Sequence, residues 1–203
     1  VAERDYRADI VAKGTLKSLQ VDLDATISGQ RATGKATLEP IASFPLRAVQ
    51  LHAAELDLAR QAGGPETKLT VDVNLAGAAE TNAFAGPVKI ENTLPGRWDA
   101  KRLPFTSASA RVVVAQDRVD VADLALGLLG GGTATGRAAL TKQGMEADLR
   151  VADVDLAALQ GSLQKTRMTG RIAASGDKSA QKFEVALRET EQWWKDWSGR
   201  CKD

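Results

Sequence analysis

The segment Gly29–Ala36 matches the residue spacing of a phosphate-binding loop up to its last position. In that motif the lysine is followed by a serine or threonine that holds magnesium, and a helix begins there with its N-terminus facing the phosphates. Here Lys35 is followed by Ala36, and the chain continues in strand-like alternation to Pro40. The segment therefore predicts a strand rather than a nucleotide site.

Two pairs of carboxylates are spaced two residues apart, Asp22 with Asp24 and Asp153 with Asp155. Residues two apart on a strand share a face. We expect both pairs on the wet face of a sheet with ordinary acidity, because no neighbouring histidine or apolar pocket is indicated. The only histidine, His52, lies in an alternating segment, where we expect it at the surface or at an edge. The chain is therefore predicted not to be an enzyme.

The composition argues against several classes of protein, including nucleic-acid-binding, metal-binding and helical membrane-spanning proteins. The 203 residues include 27 Lys and Arg against 26 Asp and Glu, which leaves no basic stripe for nucleic acid. Cys201 is the only cysteine, so an internal disulfide is excluded, and we expect neither a metal nor a cofactor. The charge-free stretch 124–136 is shorter than the roughly 20 apolar residues of a membrane-spanning helix. Because the chain begins at Val1 without an apolar signal region, we expect a processed product or an excised piece.

Apolar and polar residues alternate along most of the chain, which is typical of strands with one apolar face. The pattern slips by one residue at Ala53–Ala54, where we expect a bulge or a tight corner. Clusters of Gly, Pro, Asn and Ser separate the runs, as turns require. We expect roughly ten to twelve strands, more than a sheet usually holds.

Two short segments have helical spacing. The first is Leu156–Leu163, and the second lies in the tail, where Trp193 and Trp197 stand four residues apart. We expect residues 1–188 to form one segment with internal repeats and residues 189–203 to form a separate, Trp-rich tail. That tail is either a helix packing its indoles on the sheet, a stretch foreign to the natural protein, or a helix that binds an interface or a partner.

Short stretches of sequence recur along the chain. Ala32–Leu38 returns as Ala134–Leu140 and, more loosely, as Met168–Ala174. Ala54–Ala59 returns as Ala152–Ala157. The two similar offsets, about 100 residues each, predict a duplicated unit of a stacked sheet.

The stretch Gly86–Pro104 resembles a motif of the TamB group in the AsmA-like family. Asp5–Leu16, Asp123–Gly132 and Thr166–Gly170 also resemble repeats of that family, in the same order. The resemblance covers about residues 1–188 and ends before the tail. Its most specific positions are Gly86, Asn92, Pro95, Gly96, Asp99, Arg102 and Pro104.

The resemblance implies a fragment of a long protein that is anchored in the inner membrane and crosses the periplasm towards the outer-membrane barrel protein TamA. It implies an all-β fold, a long, curved, mostly antiparallel sheet folded over an apolar groove (a β-taco), here with one or two short helices. The role proposed for the family is movement of phospholipid between the two membranes, and an older view makes it an assembly factor for outer-membrane proteins.

The alternating residues agree with such a groove. A folded sheet with Val, Leu, Ile and Ala inside, and few bulky aromatics, would leave room for phospholipid acyl chains, with the headgroup at a wet seam. Because the strands repeat, successive positions are alike and no deep well would trap a lipid. The predicted groove lining is Val21, Leu23, Ile27, Leu69, Val71, Val73, Leu75, Val88, Ile90, Val112, Val114, Val119, Val121, Leu124, Leu126, Leu149 and Val151.

Other folds would show the same alternation of apolar and polar residues. An ordinary β-sandwich core also has an apolar face on every strand, and without the resemblance it is the favoured interpretation. A transmembrane barrel should show aromatic girdles, which one Tyr and scattered Phe do not provide. A third possibility is a rigid scaffold whose sheet edge captures outer-membrane protein strands by β-augmentation and binds no lipid.

Overall fold

The protein folds as a single sheet of twelve strands in a computed structural model, which describes residues 6–42, 45–62, 64–78, 82–177 and 180–190. Each strand pairs antiparallel with its neighbours in sequence, so the order in space is the order along the chain. The strands are β1 (Tyr6–Thr15), β2 (Ser18–Ile27), β3 (Gln30–Leu38), β4 (Leu46–Leu56), β5 (Leu69–Ala78), β6 (Ala83–Asn92), β7 (Phe105–Ala115), β8 (Arg118–Leu128), β9 (Thr133–Thr141), β10 (Met145–Val154), β11 (Met168–Gly176) and β12 (Gln181–Glu189).

Three strands carry a bulge at an acidic residue with positive φ. Glu55 in β4, Asp123 in β8 and Asp153 in β10 have φ of 55°, 50° and 53°. Each lies where the ladder to the next strand shifts register. A bulge adds one residue to its strand and bends it. The extra residue offsets the one-residue slip in the apolar pattern, so the apolar side chains before and after the bulge lie on the same face. The bulge predicted at Ala53–Ala54 is confirmed, since the register of β4 with β5 shifts there.

The three longest connections between strands lie at one end of the sheet, together with the shorter connection 129–132. In an antiparallel meander every even-numbered strand ends on the same side, so the connections that follow β4, β6, β8 and β10 are neighbours in space. We call these connections, which are residues 57–68, 93–104, 129–132 and 155–167, the belt.

Helical structure in the described residues is confined to the belt. Helix α1 (Leu58–Ala62) follows β4, helix α2 (Leu156–Leu159) follows β10, and a 3-10 turn spans Trp98–Ala100. The helix predicted over Leu156–Leu163 begins where expected but ends at Leu159, whereas α1 was not predicted. None of the described helices is long and apolar enough to cross a bilayer.

The fold-class prediction is confirmed. The protein is all-β, and its antiparallel sheet is curved and open, consistent with a β-taco-like fold with two short helices. The expected ten to twelve strands are twelve. The second sheet that a sandwich needs is absent from the described residues. Of the tail predicted over residues 189–203, positions 191–203 lie outside the described residues.

The repeated sequences adopt repeated structures. Ala32–Leu38 lies in β3 and Ala134–Leu140 in β9, while Met168–Ala174 lies in β11. Ala54–Ala59 and Ala152–Ala157 each run from a bulge into a short helix, α1 in the first copy and α2 in the second. The succession β3-β4-α1-β5 therefore recurs as β9-β10-α2-β11.

Candidate functional site

One face of the sheet is apolar from edge to edge. Residues that pair across antiparallel strands lie on the same face, so the pairings can be followed from β1 to β12. One such row crosses all twelve strands without a polar residue. Its members are Ala8, Ala25, Ala32, Ala53, Val71, Ile90, Ala108, Leu126, Ala134, Val151, Gly170 and Leu187.

The structure brings every predicted groove residue onto this apolar face. Val71, for example, pairs with Ala53 and Ile90, and Leu126 pairs with Ala108 and Ala134. The bulges at Asp123 and Asp153 keep the apolar residues of β8 and β10 on the same face as those of the other strands. The predicted lining names only the larger apolar residues, and the alanines and glycines of the rows are not among them, because the larger residues mark a strand more clearly.

Little of the described chain covers the apolar face. The buried hydrophobic residues are few and mostly small, and no large side chain is fully buried. Exposure rises away from the belt, from 4% at Ala134 to 57% at Leu140 in the same strand. It also rises towards the sheet edges, reaching 67% at Ile10 and 65% at Phe183. The face is therefore a surface that is dry near the belt and open towards the opposite strand ends.

The belt closes one end of this face. Leu156 and Leu159 of α2 pack against the cluster formed by Ala134, Val151 and Val154. The same cluster touches apolar residues of β8, β11 and β12. The belt therefore covers the apolar face at this end of the strands.

Hydrogen bonds join the connections of the belt to one another. The Glu66 amide donates to the Lys101 carbonyl over 2.8 Å, and the Leu129 amide donates to the Pro104 carbonyl over 3.0 Å. The Gly161 amide donates to the Asp99 carboxylate over 3.2 Å. Because residues 93–104 bond to all three other connections, the belt is one continuous structure.

The same side-chain arrangement anchors α1 and α2. Asp155 Oδ1 accepts from the Ala157 amide at 3.0 Å and from the Thr166 amide at 3.2 Å, while the Thr166 hydroxyl donates to the Val154 carbonyl at 3.2 Å. Asp57 and Thr67 make the equivalent bonds around α1. The prediction that Asp155 lies on the wet face of a strand is wrong, because the bulge before it ends the strand and turns the carboxylate into a helix cap.

We expect Asp155→Ala to lower the free energy of unfolding by about 1–3 kcal/mol, since it removes a helix cap and leaves a half-buried Thr166 amide without its acceptor. Urea denaturation measures this. Asp155→Asn keeps an acceptor oxygen and should recover most of the loss. Equal losses in the two variants would contradict the capping role.

The resemblance motif lies in β6 and in the belt. Asn92 is 4% exposed, and its side-chain amide donates to the Phe105 carbonyl at 2.9 Å while its oxygen accepts from the Leu94 amide at 3.1 Å. A Cβ added at Gly96 would lie 2.5 Å from the Arg102 side chain. The whole set thus lies in β6 and in the belt segment that bonds to the other connections, and its members are Gly86, Asn92, Pro95, Gly96, Asp99, Arg102 and Pro104.

The opposite face of the sheet is polar and ionic. Asp22 and Asp24 lie there, as predicted. The ordinary acidity expected for Asp24 is wrong, because hydrogen bonds from the Arg31 guanidinium hold the pKa of Asp24 below its usual value. His52 is exposed, as predicted, with Nδ1 2.6 Å from Oδ1 of Asp72. A cavity of about 800 Å³ lies over this face between β1 and β6, lined mainly by such polar side chains.

Two arrangements considered for chemistry are not formed by the described residues, a group of metal ligands and a helix after the loop-like segment. Among these residues, His, Cys, Asp and Glu form no group of three or more that could hold a metal ion. The loop-like segment Gly29–Ala36 runs from a tight turn into β3, and no helix begins at Lys35.

Comparison of the chain with protein-family models, with curated proteins and with solved structures gives no match. The resemblance of Gly86–Pro104 to the AsmA-like family therefore stays a prediction.

Proposed function

We propose that this chain is a periplasmic part of a protein that carries phospholipid acyl chains between the inner and outer membranes. The observation that carries the proposal is the apolar face, which crosses twelve strands and holds few buried residues among those described. Monomeric soluble proteins rarely expose an apolar surface this continuous, and such surfaces mark sites for apolar ligands or partners.

The physical chemistry suits an acyl chain. A tail of about sixteen carbons left in water costs on the order of 13 kcal/mol, at roughly 0.8 kcal/mol per methylene, whereas its transfer from a bilayer to an apolar protein face is nearly balanced. The rows consist of Ala, Val, Leu, Ile and Gly and differ little from strand to strand. A tail can therefore move along the sheet without meeting a deep well or a high barrier.

The belt sets the direction in which a lipid lies. Since one end of the strands is closed by packed apolar residues such as Leu156 and Leu159, the tails point towards the belt. The headgroup stays at the other strand ends, where apolar residues such as Leu140 and Met145 are exposed to water. In this proposal the full-length protein is anchored in the inner membrane, and its outer-membrane partner is the barrel protein that the resemblance implies.

The test is native mass spectrometry of the purified chain, with organic extraction of bound lipid. Co-purified phospholipid should fall at least tenfold in Val71→Arg, because a guanidinium on the apolar face is incompatible with a tail there. Leu126→Arg, in the other half of the sheet, should have the same effect. The matched control is Asn74→Arg, which lies in the same strand as Val71 but on the polar face and should keep its lipid.

Circular dichroism establishes that the variants remain folded. A wild-type chain free of lipid, or lipid retained in both arginine variants, would reject the proposal.

A second candidate function is a scaffold that captures unfolded outer-membrane protein strands by β-augmentation. The observation in its favour is that both outer strands of the sheet, β1 and β12, have one unpaired side among the described residues. A pull-down with unfolded barrel protein, from a chain that carries no lipid, would favour this function over the first.

A further inference from the structure

Three arginines lie close together on the polar face of β10, β11 and β12. Arg150 and Arg171 are direct partners in the ladder between β10 and β11, and Arg188 lies opposite Thr169 in the next ladder. Thr169 and Arg171 are two residues apart in β11, so their side chains share a face. We call these four residues, which are Arg150, Thr169, Arg171 and Arg188, the arginine cluster.

The arginine cluster lines a cavity of about 510 Å³. The other described residues around this cavity are Gly170, Ala186 and Leu187, so no carboxylate is among them. The cavity therefore offers three guanidinium groups and one hydroxyl group, all of which can donate hydrogen bonds.

The pairing of Arg150 with Arg171 is unfavourable for the sheet itself. The Cβ atoms of directly opposite residues are about 5 Å apart, and like charges in such positions destabilise a strand pair. Asp9 and Asp24 also face each other, but each of them is paired with an arginine of its own. The repulsion between the two arginines has no such compensation, because Arg150 forms no ion pair within the described part of the chain.

The carboxylates near the arginine cluster are already paired with cations. Asp148 accepts two hydrogen bonds from the Arg171 guanidinium, from Nε at 2.7 Å and from Nη2 at 2.9 Å. Glu184 and Asp153 each have a basic partner outside the cluster, at 2.6 Å and 3.1 Å. The other two arginines of the cluster therefore keep a positive charge that no described carboxylate balances.

Asp148 holds Arg171 in place. The two-point contact fixes the plane of the guanidinium and leaves Nη1 for another acceptor. The hydrogen bonds from Arg171 lower the pKa of Asp148, and the charges of Arg137 and Arg150 act in the same direction. Asp148 is therefore ionised at neutral pH, and Arg171 is oriented before any ligand arrives.

A phosphate group matches the donors of the arginine cluster. Guanidinium groups bind phosphate oxygens in bidentate pairs. Near neutral pH a phosphate monoester carries about two negative charges and three strong acceptor oxygens, so it can bind several guanidinium groups at once. A carboxylate, with one charge and two oxygens, would leave part of the cluster without an acceptor.

We propose that the arginine cluster binds inorganic phosphate or the phosphate monoester of a larger molecule, either a lipid headgroup or a soluble compound. The cluster lies on the polar face, on the other side of the sheet from the apolar rows. The proposal therefore does not depend on the carriage of acyl chains.

Isothermal titration calorimetry with inorganic phosphate at low salt tests the site. Arg150→Gln and Arg188→Gln should each weaken phosphate binding about tenfold, because each removes a charge-assisted hydrogen bond and leaves the contact of Arg171 with Asp148 intact. A natural chain that binds no phosphate would overturn the proposal.

The matched control is Arg111→Gln. Arg111 is an exposed arginine on the polar face of β7, and it lies opposite Pro87 and Ala122 rather than a second arginine. This variant should bind phosphate like the natural chain. If it weakens binding as much as Arg150→Gln does, the attraction is only a matter of total charge and the site is rejected.

Thermal unfolding distinguishes loss of the site from a folding defect. Arg150→Gln relieves the repulsion with Arg171, so its melting temperature should equal or exceed that of the natural chain. Added phosphate should raise the melting temperature of the natural chain more than that of Arg150→Gln, because only the natural chain holds the ligand tightly. Equal increases in the two proteins would contradict the proposal.

Vesicles distinguish the two sources of the phosphate group. The headgroup of phosphatidic acid is a phosphate monoester, so the chain is sedimented with phosphatidylcholine vesicles that contain phosphatidic acid and with vesicles that lack it. Binding that requires phosphatidic acid and is lost in Arg150→Gln supports the site with a lipid headgroup as its ligand. Binding of inorganic phosphate without binding to either kind of vesicle supports the site with a soluble phosphate compound as its ligand.

Discussion

Gly136→Ala is expected to lower the free energy of unfolding by about 2–4 kcal/mol. This is a larger loss of stability than one added methyl group usually causes. Gly136 lies in β9 on the apolar face, and an added Cβ would lie 2.1 Å from the Asp148 carbonyl oxygen. That oxygen belongs to the backbone of the neighbouring strand and cannot rotate away. Either the ladder between β9 and β10 opens there or the strand shifts.

The repeat supplies a matched control in nearly the same local sequence. Gly34 occupies the same place in the first copy, yet an added Cβ there meets its nearest atom at 3.5 Å, an ordinary contact. Gly34→Ala should therefore change stability by less than about 1 kcal/mol, and stiffening of the unfolded chain makes it stabilising if anything. Urea titrations of both variants measure the difference, and equal losses would show that strand propensity rather than contact controls these sites.

Asn92→Ala is expected to cost about 2–4 kcal/mol, because it removes three hydrogen bonds from a side chain that is 4% exposed. The Leu94 amide would lose its acceptor and the Phe105 carbonyl its side-chain donor, while the Leu103 carbonyl would keep the Gly96 amide as a donor. These groups hold the belt segment that bonds to the other connections. Thermal unfolding should show the loss, and hydrogen exchange should show faster opening of residues 93–104.

Asn92→Asp distinguishes the accepting oxygen of the Asn92 side chain from its donating amide, because the stability of this variant should depend on pH. The carboxylate can still accept from the Leu94 amide, but it faces two carbonyl oxygens, so burial and these dipoles raise its pKa in the folded state. A folded state that binds the proton more tightly than the unfolded chain loses stability as pH rises through that range. Asn92→Asp should therefore approach the natural chain in stability at acidic pH relative to neutral pH. A difference from the natural chain that does not change with pH would contradict the hydrogen-bonding assignment.

The strands and their faces could be predicted because a period of two is a local signal. Val21, Leu23 and Ile27 show their shared face in seven residues of sequence, and the slip at Ala53–Ala54 shows the bulge in the same way. Pairing then follows from order along the chain, since each strand bonds to its sequence neighbours.

The belt could not be predicted, because its bonds join residues that no periodicity relates. Asp155 and Thr166 are brought together by the path of the connection. The sequence shows the slip of parity between Val151 and Val154, but the slip does not show that Asp155 turns back to cap a helix. Gly34 and Gly136 show the same limit. Their local sequences are nearly identical, and only the approach of the next strand distinguishes them.

The strand order also determines how the molecule bears tension. A pull between β1 and β12 runs along the hydrogen bonds of the sheet, so it loads the ladders one after another, as in the opening of a zipper. The strands β1, β2 and β12 can peel away singly, because each is held mainly by its neighbours in the ladder, whereas the Gln30 side chain ties β3 to Asp57 of the belt. The strands between β4 and β11 cannot, since the belt ties their connections together and shares the load among them. A molecule stretched between two anchors would therefore lengthen at its ends first and keep its middle intact.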